Sequence, residues 1–183
     1  RMTGVTSGVE ITTIADVPSR GTGLGSSSTV TVGLLNALHR FAGRKVTAEQ
    51  LAAEACKIEI TILGQPIGRQ DQYAAAFGGL NAIYFTSEGV NVSPIDLDQS
   101  LQDSLESEFT LVFTNLTRSA STVLSEKPSS AIDKNLRLNN IRSQANQSLS
   151  HIECGDLDGL GKLLADAWKE KRGISHSVSN NEL

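Results

Sequence analysis

The spacing of apolar residues divides the chain into segments of different texture. Gly8-Val9-Glu10-Ile11-Thr12-Thr13-Ile14-Ala15 is rich in β-branched residues and predicts a strand. Residues 16–25 carry Pro18, Gly21, Gly23 and Gly25 and predict a loop. From Ser26 onward Val30, Leu34, Leu35, Leu38 and Phe41 recur at helical spacing, and Gly43 marks a stop. Thr47-Ala48-Glu49-Gln50 has the form of a capping box, and Leu51, Ala55, Ile58 and Ile62 then share one helical face. Gly64 and Pro66 end that helix, and Asp71 falls in a Gly-flanked turn. Leu80-Asn81-Ala82-Ile83-Tyr84-Phe85 predicts a strand, and Ser87-Glu88-Gly89 a hairpin turn into residues 90–95.

The second half is more polar. Residues 96–108 have weak helical periodicity and are suited to joining two domains. Phe109-Thr110-Leu111-Val112-Phe113-Thr114 predicts a strand, and two helices follow near 132–153 and 157–171. Trp168, with Leu160, Leu163, Leu164 and Ala167, reads as core. The opening strand has no earlier partner and the polar ending has no closing element, so the sequence is expected to be an excerpt.

Composition narrows the class. With 183 residues, 39% hydrophobic and 20% charged, the chain can fill a core, and the pattern is mixed α/β. Sixteen basic against 20 acidic residues leave a net charge of −4, which argues against a nucleic-acid or anionic-membrane surface. No apolar run approaches the roughly 20 residues needed to span a bilayer. Cys56 and Cys154 stand far apart, with no His at metal spacing, so a reducing cytoplasm is the expected setting. His39, His151 and His176 show no metal spacing either and are expected to be satisfied helix or surface residues.

The most informative stretch is Pro18-Ser19-Arg20-Gly21-Thr22-Gly23-Leu24-Gly25-Ser26-Ser27-Ser28-Thr29. Three alternate glycines let the backbone bend tightly directly before a helix N-terminus, whose N–H groups and partial positive charge favour a phosphate. Gly21, Gly23, Leu24, Gly25, Ser26, Ser27 and Ser28 are therefore candidate phosphate ligands, and a serine hydroxyl also suits Mg²⁺. Better-known loops do not fit: no lysine precedes Lys45, as a Walker A motif requires, and Ser26 stands where a dinucleotide fingerprint has glycine. A flexible Gly/Ser turn is the alternative, although Leu24 among the glycines is atypical of a linker.

This loop resembles the phosphate loop of the GHMP small-molecule kinases. The likeness continues through Val32-Gly33-Leu34-Leu35-Asn36-Ala37-Leu38, Glu54-Ala55-Cys56-Lys57-Ile58-Glu59-Ile60 and Gly64-Gln65-Pro66-Ile67-Gly68-Arg69-Gln70-Asp71-Gln72-Tyr73, and is nearest to the bacterial heptose 7-phosphate kinases. The resemblance implies an α+β fold, with a ribosomal-S5-like first domain over 1–107, lacking its first strands, and part of a ferredoxin-like domain over 108–183. It implies the cofactors ATP and Mg²⁺ and transfer to the anomeric hydroxyl of a sugar phosphate. Such kinases are longer at both ends, so this segment alone is not expected to turn over. A fucose-type 1-kinase and a non-catalytic nucleotide-binding protein are the alternatives.

The same resemblance implies residue roles. Ser27 and Glu59 would join around Mg²⁺ and Asp71 would be the catalytic carboxylate. Arg118, in Thr114-Asn115-Leu116-Thr117-Arg118-Ser119-Ala120, would grip the 7-phosphate, since a guanidinium fork matches phosphate oxygens. Arg69 would neutralise phosphate charge. Read from the residues alone, Glu59 is expected to be a solvated helix charge, while Asp71 also fits a turn cap and both arginines a solvent-facing surface.

Overall fold

The computed structural model describes residues 2–15, 23–112 and 131–174. These fall into two compact units, one through Ile95 and one from Asp96 onward. In the first, α1 (Ser26–Phe41) buries Val32, Leu35 and His39 on one stripe. It ends in a Schellman motif: Gly43 takes φ 71°, Arg44 N–H donates to His39 O at 2.8 Å and Gly43 N–H to Arg40 O at 3.0 Å.

Thr47 caps α2 (Ala48–Cys56), its hydroxyl accepting from Gln50 N–H at 3.2 Å. Only half of the expected capping box forms, because the Gln50 side chain donates to Glu54 at 2.8 Å instead of turning back. α2 runs directly into a π-helical segment, Lys57–Ile62, in which Leu63 N–H reaches Ile58 O at 2.9 Å. α3 (Gln70–Phe77) completes the group. Val32, Leu35, Leu51 and Ala55 form the core, with Val46, Ile58, Ala75 and Ala76 packed against it. Fully buried Ala52 and Ala55 let the helices approach closely. His39, fully buried, places Nε2 2.6 Å from the Glu54 carboxylate and so joins α1 to α2 by a polar contact inside the stack.

The hairpin forms as expected. β1 (Asn81–Phe85) and β2 (Val90–Pro94) pair antiparallel, from Asn81 opposite Pro94 to Phe85 opposite Val90. Tyr73 of α3 meets the Phe85 ring edge-on at 5.9 Å, holding the hairpin against the helices.

The second unit contains α4 (Gln99–Glu108), α5 (Ala131–Glu153) and α6 (Leu157–Ile174). Asp98 caps α4 through Leu101 N–H at 2.8 Å, so the weakly periodic stretch forms a helix. Gly155, at φ 68°, turns the chain between α5 and α6, where Ile152, Leu157 and Leu160 are buried. At the far end of this antiparallel pair, Glu170 accepts from Arg137 at 3.1 Å and Asn140 at 3.0 Å.

Two expected strands and one expected core group do not form. Residues 8–15 form no strand: Ile14 is 93% exposed, and no strand among the described residues lies alongside to pair its backbone. Residues 109–112 likewise form none, with Leu111 and Val112 exposed; the rest of that predicted strand lies outside the described residues. Trp168 and Leu164 are not core, since the α5 surface paired with the end of α6 carries Arg137 and Asn140.

Candidate active site

Gly25 is the N-cap of α1 and adopts φ 66°, ψ 19°, the left-handed region that favours glycine. As a glycine it supplies no side-chain cap hydrogen bond to this helix start. A Cβ on Gly25 would lie 3.4 Å from Asp71 Cγ and Oδ2, so the glycine brings the loop backbone directly against the Asp71 side chain. The two line a cavity of about 420 Å³ with Gly23, Leu24, Thr29 and Ala74. Leu24 is half-exposed at this opening. Asp71 does not sit in a turn: it occupies the first turn of α3, a helix that fits between Gly68 and Gly78.

Beside the cavity, Glu59 gathers four side chains. Its Oε1 accepts from Ser27 Oγ at 2.8 Å and Thr31 Oγ1 at 3.1 Å. Its Oε2 accepts from Ser28 Oγ at 2.7 Å and from Gln72 Nε2. The carboxylate is only 3% exposed, so it is not a solvated helix charge. Burial alone would raise its pKa, but the donors from Ser28, Ser27, Gln72 and Thr31 together outweigh burial and hold it below the usual value. Glu59 lies in the π-helical segment, a conformation often found at functional sites.

Ser27 and Glu59 supply hard oxygen donors at 2.8 Å, a pair that suits a Mg²⁺ ion sharing its remaining positions with waters and nucleotide phosphates. The structure thus brings together Gly23, Leu24, Gly25, Ser26, Ser27, Ser28, Glu59 and Asp71. Arg69 is exposed at the N-cap of α3, two residues before Asp71. Gly21, Arg118 and His176 lie outside the described residues. Sequence reasoning missed Thr31 and Gln72. Both carry a readable signal: Thr31 is one helical turn beyond Ser27, and Gln72 follows the candidate catalytic carboxylate. His39 and His151 take carboxylate partners of their own, Glu54 and Asp156.

Gly25→Ala is expected to lower stability by about 1–2 kcal/mol, the cost of a Cβ in the left-handed region. It also places a methyl against the Asp71 carboxyl. Thermal unfolding of this variant in the complete gene product checks the expectation, and an unchanged midpoint contradicts it.

The sequence model of the GHMP kinases N terminal domain matches residues 1–79. Residues 1–79 belong to the GHMP kinase family. Over 174 residues the chain is 36% identical to a D-glycero-alpha-D-manno-heptose 7-phosphate kinase of Campylobacter jejuni, covering 93% of this chain and 51% of that protein. It is 28% identical to an L-fucokinase/L-fucose-1-P guanylyltransferase of Bacteroides fragilis, covering 94% of this chain and 19% of that protein. The crystal structure of a D-glycero-D-manno-heptose 1-phosphate kinase from Bacteroides thetaiotaomicron superposes with a TM-score of 0.71 at 31% identity, covering 86% of this chain and 46% of that one. The α+β architecture is accordingly the GHMP kinase fold, and the chain spans about half the length of its heptose kinase relatives.

Proposed function

We propose that the chain is the ATP-binding and catalytic portion of a sugar kinase, which transfers the γ-phosphoryl group of ATP to the anomeric hydroxyl of a heptose 7-phosphate. One observation carries this reading. The glycine loop, the Ser27–Glu59 oxygen pair and the Asp71 carboxylate converge on one part of the first unit. Phosphoryl transfer needs a phosphate cradle, a cation and a group that orients the attacking hydroxyl, and each part has a counterpart here. The likeness to heptose kinases supports the substrate class.

In this reading the loop from Gly21 to Ser28 holds the nucleotide phosphates through backbone amides, the left-handed Gly25 turning the chain toward them. Ser27 and Glu59 hold Mg²⁺, which when bound neutralises charge on the transferred group. Asp71 orients the sugar hydroxyl. A carboxylate is too weak a base to remove that proton beforehand, but in a loose transition state the proton leaves late, onto the carboxylate oxygen. Arg69 adds positive charge for the phosphates, and Arg118 grips the 7-phosphate.

The likeness to an L-fucokinase favours a second reading, a kinase for an unphosphorylated sugar. Turnover of the complete gene product on heptose 7-phosphate, the unphosphorylated heptose and L-fucose separates the two. Under the first reading, Arg118→Ala is expected to raise KM for the 7-phosphorylated sugar by about 10- to 150-fold, the worth of a charge-assisted phosphate contact. It leaves residual turnover of the unphosphorylated sugar nearly unchanged. Preference for L-fucose, with no effect of the substitution, supports the second reading instead.

A further inference from the structure

The two oxygens of Glu59 are held differently. Oε2 takes both of its hydrogen bonds from buried groups, Ser28 at 2% exposure and Gln72 at 0%. Oε1 takes its bonds from the exposed Ser27 hydroxyl and the part-buried Thr31 hydroxyl. Thr31 has a second acceptor ready, the Ser27 carbonyl at 3.0 Å, and its single hydroxyl proton serves only one acceptor fully at a time. The donors on Oε1 can therefore turn away; those on Oε2 have no such exchange. Gln72 also leaves its own Oε1 buried without a partner, a cost that an apolar side chain of similar volume would avoid.

We propose that Gln72 is a positioning residue for the cation site: its amide fixes Oε2 of Glu59, so that Oε1 is the atom offered, with Ser27, to the metal. Gln72 immediately follows Asp71 in the first turn of α3, so the same helix turn that presents the catalytic carboxylate also sets the metal-binding one. Gln72 acts only through Glu59. The inference rests on the nucleotide–metal reading of this site.

The test is a double-substitution cycle read by electron paramagnetic resonance of free Mn²⁺, with the complete gene product and ATP. Gln72→Met, which keeps the volume and removes the donor, is expected to weaken Mn²⁺ retention by about tenfold in the otherwise unchanged protein. In the Glu59→Gln background the same change is expected to matter by less than about twofold, because two groups acting as one unit are non-additive. A substitution that merely loosens the fold gives equal losses in both backgrounds and overturns the proposal, as does an unaltered Mn²⁺ affinity. If Gln72→Met does not fold, Gln72→Asn, whose amide is one carbon too short to reach Oε2, is run through the same cycle. Absence of any ATP-dependent Mn²⁺ binding by the unsubstituted protein overturns the nucleotide–metal reading itself, and this inference with it.

Discussion

Asp71→Asn in the complete gene product is expected to reduce kcat by about 10²-fold or more while leaving ATP affinity nearly unchanged. The carboxylate lines the glycine-loop cavity, against Gly25 and outside the Glu59 hydrogen-bond cluster. Asparagine preserves its shape and its place in the first turn of α3, so the fold and the phosphate cradle persist. What it removes is the charge that orients the attacking hydroxyl and the oxygen that receives its proton. Because that contribution arises mainly in the transition state, the loss falls on kcat and kcat/KM together. Steady-state kinetics alongside an ATP-binding titration read the two quantities separately. Near-normal turnover would assign Asp71 to shaping the helix start alone.

Glu59→Ala is expected to destabilise the first unit by about 2–6 kcal/mol, whether or not metal is present. It leaves two buried donors, Ser28 Oγ and Gln72 Nε2, without an acceptor, at about 1–3 kcal/mol each. Glu59→Gln is far milder, about 1–2 kcal/mol. Its amide nitrogen can stand at the Oε1 side, where the Ser27 and Thr31 hydroxyls turn to accept, while its oxygen continues to accept from Ser28 and Gln72. Chemical denaturation of the two variants without Mg²⁺ measures the difference. Equal stability of the two would mean that the four hydrogen bonds around this carboxylate do not hold the loop to the helices. Both variants are expected to weaken the Mg²⁺ response.

The helices bearing strong local signals were legible in the residues. Val32 and Leu35 at core spacing, the Gly43 stop and the Thr47 cap delimit α1 and the start of α2. The Ser87-Glu88-Gly89 turn sets the hairpin register, because its flanking strands are short and need no distant partner. Residues 8–15 show the opposite case: their β-branched composition is a preference, and a strand forms only where another strand receives its hydrogen bonds. The π-helical widening at Lys57–Ile62 could not be read from Ile58, Ile60 and Ile62, whose apolar spacing does not report the pitch of the turn. Gly68 and Gly78 on either side of Asp71 predict a turn, yet an eight-residue helix fits between them. At the site, the Ser27–Glu59 meeting followed from a family resemblance and not from spacing, since 32 residues separate them. Thr31 lies one helical turn beyond Ser27 and Gln72 beside Asp71, but it is the burial of Glu59 that gives both positions their role as its donors.

The central claim is phosphoryl transfer from ATP to an anomeric hydroxyl at the site built by the glycine loop, Glu59 and Asp71. Phosphorus NMR of the complete gene product with ATP, Mg²⁺ and heptose 7-phosphate tests it most directly. The expected result is ADP formed in step with one new phosphate resonance, coupled to the anomeric proton, while the 7-phosphate resonance persists. ADP accompanied only by inorganic phosphate, or a new ester on any other carbon, would contradict it.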